Sequence, residues 1–152
     1  MTTATPRDAA ARDADALLLL EAAFPGDRLS PRAIRRLLCS PSARVRVIAD
    51  DAGAVRGALV LLFRRGARAA RIYSLAVDPV ARGRGLAQTL IVDAERAAAA
   101  RGCDRVRLEV RVDNLPALAL YARQGYARVQ RLTGYYEDGA DGYRLEKRIA
   151  SP

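Results

Sequence analysis

The chain reads as a mixed α/β fold with a largely antiparallel sheet, and three observations carry that reading. Residues 105–112 alternate without a fault: Val106, Leu108, Val110 and Val112 point one way, and Arg105, Arg107, Glu109 and Arg111 the other, the period of a half-buried strand. Residues 85–101 set Leu86, Leu90, Ala94 and Ala97 on one face of a long helix, with Gly102 as its stop. The segments follow one another as α-α-β-β-β-α-β-α-β-β, and no repeat or linker divides the 152 residues, so one domain is expected over 1–152.

Taken in order, residues 13–24 place Leu17, Leu20 and Phe24 on one helical stripe, which Pro25-Gly26 ends. Ser30-Pro31 opens a second helix, serine as N-cap and proline at the first helical position, running to about Leu38. Residues 45–49 and 55–63 read as antiparallel strands joined by the turn Asp50-Asp51-Ala52-Gly53. After a turn at Gly66, residues 71–77 read as a strand apolar on both faces, hence central and buried. The long helix and the alternating strand come next. Asp113-Asn114 caps a short helix closed by Gly125, residues 126–132 resume as strand, Tyr135 to Gly139 form a turn, and residues 143–149 make a last strand.

Composition narrows the function classes. There is no histidine, and Cys39 and Cys103 lie at no metal-ligand spacing, which excludes a His-based triad and a structural zinc site; no metal is expected. The longest aliphatic run, Leu17 to Leu20, is far too short to cross a membrane, and the acidic N-terminus (Asp8, Asp13, Asp15) lacks an export pattern, so a cytoplasmic location is expected. A net charge of +9 raises the question of nucleic acid, but Lys147 is the one lysine against 25 arginines and aromatics are only 5%, a compositional bias without a stacking ladder. The positive field suits a polyanionic small ligand or an acidic partner better.

The stretch Asp78-Pro79-Val80-Ala81-Arg82-Gly83-Arg84-Gly85-Leu86-Ala87 joins the strand 71–77 to the long helix. Unpaired N–H groups at a helix start, at the positive end of its dipole, converge on a volume suited to phosphate. Arg82 and Arg84 add charge, while Gly83 and Gly85 permit close approach. No Gly-Lys-Ser/Thr follows, and the third glycine of a dinucleotide fingerprint is missing. Taken alone, the loop reads equally well as a solvated basic turn.

A second motif changes that balance. Val77-Asp78-Pro79 with Arg82-x-x-Gly85-x-Ala87 is followed by Asn114-x-x-Ala117-x-x-x-Tyr121-x-x-x-Gly125-Tyr126. With Leu108-Glu109-Val110-Arg111 and Tyr135-Tyr136, the chain resembles the GCN5-related N-acetyltransferases (GNAT), most of all the ribosomal-protein-alanine N-acetyltransferase (RimI) branch, over residues 44–149. Phe24-Pro25 resembles the Phe-Pro-Trp segment of that branch, with Gly26 in place of tryptophan. The resemblance implies a splayed, six- to seven-stranded sheet flanked by about four helices, in which strands 71–77 and 105–112 part and acetyl-CoA enters the gap as co-substrate. It implies that backbone N–H groups of Gly83, Arg84, Gly85, Leu86 and Ala87, beside Arg82, hold the pyrophosphate. The backbone of Leu75 and Val77 then pairs with the pantetheine arm, and Asn114 touches that arm from the other side. Phe24, Tyr135 and Tyr136 line the acceptor groove.

The implied reaction is direct attack of a primary amine on the thioester. Tyr121 suits the acid that protonates the departing thiolate, since a phenol of pKa about 10 stays protonated at pH 7; its other reading is an amphipathic core-edge tyrosine. Glu109 suits the base, directly or through water; its other reading is an ion pair with its same-face neighbours Arg107 or Arg111. Tyr135 and Tyr136 equally suit packing over the sheet edge. The expected acceptor is a protein N-terminal α-amine, such as that of a ribosomal protein, because about a tenth of an α-amine is neutral at pH 7 against far less of a lysine. A small-molecule amine acceptor, or a non-catalytic acyl-CoA sensor, is the alternative. A monomer or homodimer is expected, with no direct contact to nucleic acid or membrane.

Overall fold

In chain order the elements are β1 (Arg7–Asp8), α1 (Ala14–Ala22), α2 (Pro31–Cys39), β2 (Ala43–Ala49), β3 (Val55–Leu62), β4 (Ala69–Val77), α3 (Leu86–Ala100), β5 (Arg105–Arg111), α4 (Leu115–Arg123), β6 (Ala127–Leu132) and β7 (Gly142–Arg148). The computed structural model describes residues 4–22 and 29–149. Among them the strands form one seven-stranded sheet in the order β1-β2-β3-β4-β5-β7-β6, antiparallel throughout except between β4 and β5.

Most elements stand where periodicity and caps put them. Ser30 accepts from Ala33 N–H at 3.1 Å with Pro31 behind it, starting α2. The N–H groups of Gly102 and Cys103 turn back onto Ala99 and Ala98 carbonyls, ending α3. The differences are local. Strand β1, only two residues long, is too short to show a period; it pairs with β2 and is held by Arg44 and Arg46, each 2.9 Å from Asp8. The first helix is preceded by a 3-10 turn at Ala11–Asp13, and Phe24 lies outside the described residues. Strand β4 is not apolar on both faces: Arg71 is half-buried and Tyr73 is exposed.

Two cores sandwich the sheet. On one face α3 buries Leu90, Ile91, Ala94 and Ala98 and α4 buries Leu118 and Tyr121, against Leu59, Leu61, Ile72, Val106, Leu108 and Leu145. The buried stripe of α3 is rotated slightly from the expected one, leaving Leu86 and Ala97 only partly buried at its rim. Helix α3 comes so close to β3 that a Cβ on Gly57 would stand 3.1 Å from Leu90 Cδ1. Truncating a leucine buried as fully as Leu90 costs about 2–5 kcal/mol. Lys147 on β7 and Tyr126 both bind the Glu95 carboxylate of α3, at 3.0 and 2.9 Å, tying that helix to the β5–β7 half of the sheet. On the opposite face, Leu17, Leu20 and Ile34 of α1 and α2 cover Val45, Val47, Ala58 and Val60. Beside α1 and α2, that same face of β5 and β7 is charged, with Arg105, Arg107, Glu109 and Arg111 opposite Arg148, Glu146, Arg144 and Gly142.

The site is positioned by what β4 and β5 fail to do. They pair only at Ala69↔Arg105, Ala70↔Val106 and Arg71↔Arg107, then part, leaving a wedge that opens towards their C-terminal ends. Just beyond the last shared pair, the β3–β4 register jumps from Leu61↔Ile72 to Val60↔Ser74, so Tyr73 is the extra residue of a β-bulge. A bulge bends and twists its strand, and here it does so where β4 leaves β5.

Candidate active site

The loop after β4 lies at the open end of the wedge. Asp78 caps a 3-10 turn (Pro79–Ala81), accepting from Val80 N–H at 3.0 Å and from Arg56 at 3.1 Å; these two bonds hold its carboxyl below the usual range. Gly83 (φ 82°) and Gly85 (φ 75°) are left-handed. A Cβ on either would meet nothing within 4 Å, so backbone conformation demands glycine there and the space above is open. Gly85 is the N-cap of α3, with no side-chain cap and no acidic residue in the first turn, which leaves the leading N–H groups of α3 to an outside acceptor. Gly83, Arg84, Gly85, Leu86 and Ala87, with Arg82 before them, thus line one rim at the start of α3.

Both walls of the wedge follow from strand alternation. Asp78 N–H donates to Arg56 O on β3 at 2.7 Å, so the backbone groups of Val77 and Leu75, facing the opposite way, are directed into the opening. Across it, β5 leads into α4. Asn114 is the N-cap of α4, its Oδ1 accepting from Ala117 N–H at 3.2 Å, and it is exposed beside the opening.

Tyr121 is 5% exposed and meets the Tyr126 ring edge-on, centroids 5.4 Å apart. Burial pushes its phenol above the ordinary value, keeping it protonated. It stands on the α3–α4 face of the sheet, whereas Glu109 stands on the other. The wedge is the opening that joins those two faces.

Glu109 is buried to 6% side-chain exposure between two cations. Arg71 on β4 donates from Nε at 3.2 Å, and Arg144 on β7, its register partner, lies at 3.7 Å. The expected same-strand partners do not form: Arg111 binds Asp138 at 2.8 Å and Asp113 at 3.2 Å instead, and Arg107 pairs with no carboxylate among the described residues. Cross-strand neighbours stand closer than residues two apart on one strand, which decides the partner. Arg71 also donates to Tyr135 Oη at 3.4 Å and lies 5.5 Å from the Tyr73 ring. Tyr135 packs edge-on against Tyr136, centroids 5.1 Å apart, and Arg111 lies over the Tyr136 ring. Burial, then the neighbouring Tyr135, raises the Tyr136 phenol above its usual pKa.

Glu109, Tyr135 and Tyr136 are thus brought together on one face, through Arg71; Leu75, Val77, the glycine loop and Asn114 flank the wedge, and Tyr121 is buried in the core on the other face. Arg71 and Arg144 are the residues that sequence reasoning missed. The available signal was a lone arginine inside an otherwise apolar segment, Arg71 within residues 69–77.

Comparison with known proteins accords with this geometry. The profile described as the acetyltransferase (GNAT) family matches residues 14–126. N-alpha-acetyltransferase MAK3 of Arabidopsis thaliana is 43% identical over 81 residues, 53% of this chain and 43% of that protein. N-alpha-acetyltransferase RimI of Mycobacterium tuberculosis is 40% identical over 82 residues, 53% of this chain and 50% of that protein. The matched segment spans half the length of these relatives or less. In structure, the ribosomal-protein-S18-alanine N-acetyltransferase from Escherichia coli superposes with a TM-score of 0.86 at 21% identity, covering 99% of this chain and 96% of that one, a likeness of fold. Ard1 from Thermoplasma volcanium superposes with a TM-score of 0.86 at 25% identity, covering 99% and 100%. With most of its length matched by the family profile and the parted β4–β5 pair in place, the chain belongs to the GNAT acetyltransferase family.

Proposed function

We propose that this chain is an acetyl-CoA-dependent Nα-acetyltransferase that modifies the N-terminal α-amine of a protein, a ribosomal protein being one candidate acceptor. The observation that carries the reading is the wedge itself: an uncapped, glycine-bounded helix start at its mouth, and a buried carboxylate beside two tyrosines on its far face. The residues fit a CoA-type ligand. The rim from Gly83 to Ala87 offers backbone donors to a pyrophosphate, and Leu75 and Val77 offer strand-edge groups to an amide-bearing arm. The N-α-acetyltransferases among its relatives support the acceptor class.

In this reading positioning does most of the work, offsetting on the order of 7–11 kcal/mol of barrier. Val77 N–H donates to the developing oxyanion from the wedge wall. Glu109, held by Arg71 and Arg144, takes the amine proton directly or through a water. Tyr121, kept protonated by burial, delivers a proton to the thiolate from the opposite face. Tyr135 and Tyr136 flank the entering chain. The test is incubation with acetyl-CoA and a peptide library, followed by mass spectrometry. Peptides beginning with Ala or Ser become acetylated at the α-amine while lysine side chains stay free; acetylation of lysines alone, or of small amines only, overturns the reading.

A further inference from the structure

The charged face that carries Glu109 does not end at the site. Towards the N-terminal ends of β4 and β5 it runs into a groove of about 820 Å³ lined by six arginines, Arg64, Arg65, Arg68, Arg71, Arg105 and Arg107, and by Glu146. Three carboxylates stand against these six guanidinium groups: Glu109 on Arg71, Asp104 on Arg68 and Arg105, and Glu146 on Arg105. Three of those four ion pairs are loose, at 3.3 to 3.8 Å. Six minus three leaves a surplus of three positive charges in the groove. Arg107 makes no ion pair among the described residues, and its Nε is buried without a hydrogen-bond partner. Arg71 belongs to both regions, binding Glu109 at 3.2 Å and lining the groove.

Resting on the Nα-acetylation reading, we propose that this groove receives acidic side chains of the acceptor polypeptide a few residues beyond its acetylated N-terminus. Glu109, Arg107 and Arg105 share one face of β5 at intervals of two residues. At about 3.3 Å per residue, Arg105 lies about 13 Å down the strand from Glu109. An extended acceptor whose amine sits at Glu109 then brings its third to fifth residues alongside Arg107 and Arg105. Carboxylates there meet planar donors suited to them and replace solvent on Arg107. A nucleic acid fits less well: Phe63, the groove's aromatic ring, is covered by the Arg101 guanidinium at 4.3 Å and offers no stacking surface.

The test uses peptides that share one N-terminal residue and carry Glu, Gln or Lys at positions three to five. The Glu peptide exceeds the Lys peptide in kcat/KM by about tenfold at low salt, the difference residing in KM, and about 0.5 M NaCl removes most of it. Arg107→Glu abolishes or reverses the preference, read as the ratio of kcat/KM for the Glu and Lys peptides within that variant. Arg65→Glu and Arg68→Glu, on the exposed β3–β4 turn, weaken it several-fold without touching the core. Acetylation of all three peptides at equal kcat/KM, or a preference indifferent to these reversals, overturns the groove and leaves Nα-acetylation standing. No peptide turnover, with small amines acetylated instead, overturns both. RNA binding lost in Arg107→Glu, with peptide selectivity unchanged, assigns the groove to nucleic acid and overturns the proposal.

Discussion

Replacing Arg71 by glutamine severs the link between β4 and Glu109 while keeping a side chain of similar reach. The Glu109 side chain is 6% exposed and, among the described residues, receives one hydrogen bond, at 3.2 Å, from Arg71; Arg144 remains at 3.7 Å, an ion pair beyond hydrogen-bond range. Stranding a fully buried charge costs about 3–5 kcal/mol, and a hydrogen bond to a charged group contributes about 1.5–3 kcal/mol. Arg71 itself is a third exposed and Arg144 still compensates, so the lower figures apply, about 1.5–2 kcal/mol. For a chain of this size that lowers Tm by about 3–8 °C. The assay is thermal and urea unfolding of wild type, Arg71→Gln, Glu109→Gln and the double variant. A coupling energy of about 1 kcal/mol or more is expected, because Arg71→Gln costs little once the carboxylate has gone. Additivity within about 0.3 kcal/mol refutes the clamp. The same variant lowers kcat/KM for peptides and leaves acetyl-CoA affinity unchanged, since Arg71 is on the acceptor face.

Tyr121→Phe removes the proposed acid, and turnover falls by about 10²–10⁴ with acetyl-CoA affinity kept, as single-turnover kinetics beside calorimetry will show; unchanged turnover returns Tyr121 to the core. Because burial raises its pKa, the alkaline limb of the wild-type pH–rate profile below about pH 10 does not come from Tyr121. Gly85→Ala forces a left-handed alanine at φ 75° and costs about 1–2 kcal/mol by urea melts, with weaker acetyl-CoA binding by calorimetry; since the surrounding space is open, Gly85→Asn costs less. The Arg7 hydrogen bond, aided by Ala10 N–H, holds the Asp13 carboxyl below its usual range. Its stabilising effect is complete above the unfolded pKa of about 3.9 and disappears as pH falls through the lower folded value, so Asp13→Asn flattens the loss of stability on acidification.

What the sequence made legible was whatever is encoded locally. The strand at Arg105–Arg111 and the helix ending at Gly102 show themselves through spacing, caps and stops within a dozen residues. The left-handed glycines before α3 and the Asn114 cap of α4 were legible for the same reason. The environment of Glu109 was not. Its partners Arg71 and Arg144 stand 38 and 35 positions away, and only sheet register, which periodicity does not encode, brings them together. The bulge at Tyr73 was hidden likewise, because it exists only as a mismatch between β3 and β4. Reading Arg71 as one residue of a buried apolar strand followed from seeing β4 without its neighbours.

Strands β4 and β5 share three register pairs, so the sheet is continuous in order and almost severed in bonding. The strands β1–β4 form one hydrogen-bonded panel and β5–β7–β6 another, and the apolar packing beneath α3 spans the seam. Such packing is non-directional and holds the panels together without fixing their angle. In the proposed acetyl-CoA complex a ligand bonded to Leu75 and Val77 would supply the missing ladder, so binding energy and folding cooperativity would become one quantity, about 2.7 kcal/mol at a hundredfold excess over Kd. Without ligand, amide hydrogens in the two panels exchange with separate opening free energies; with ligand, these converge. Substitutions that loosen either panel therefore surface first as lost acetyl-CoA affinity, and only later as a lower melting point.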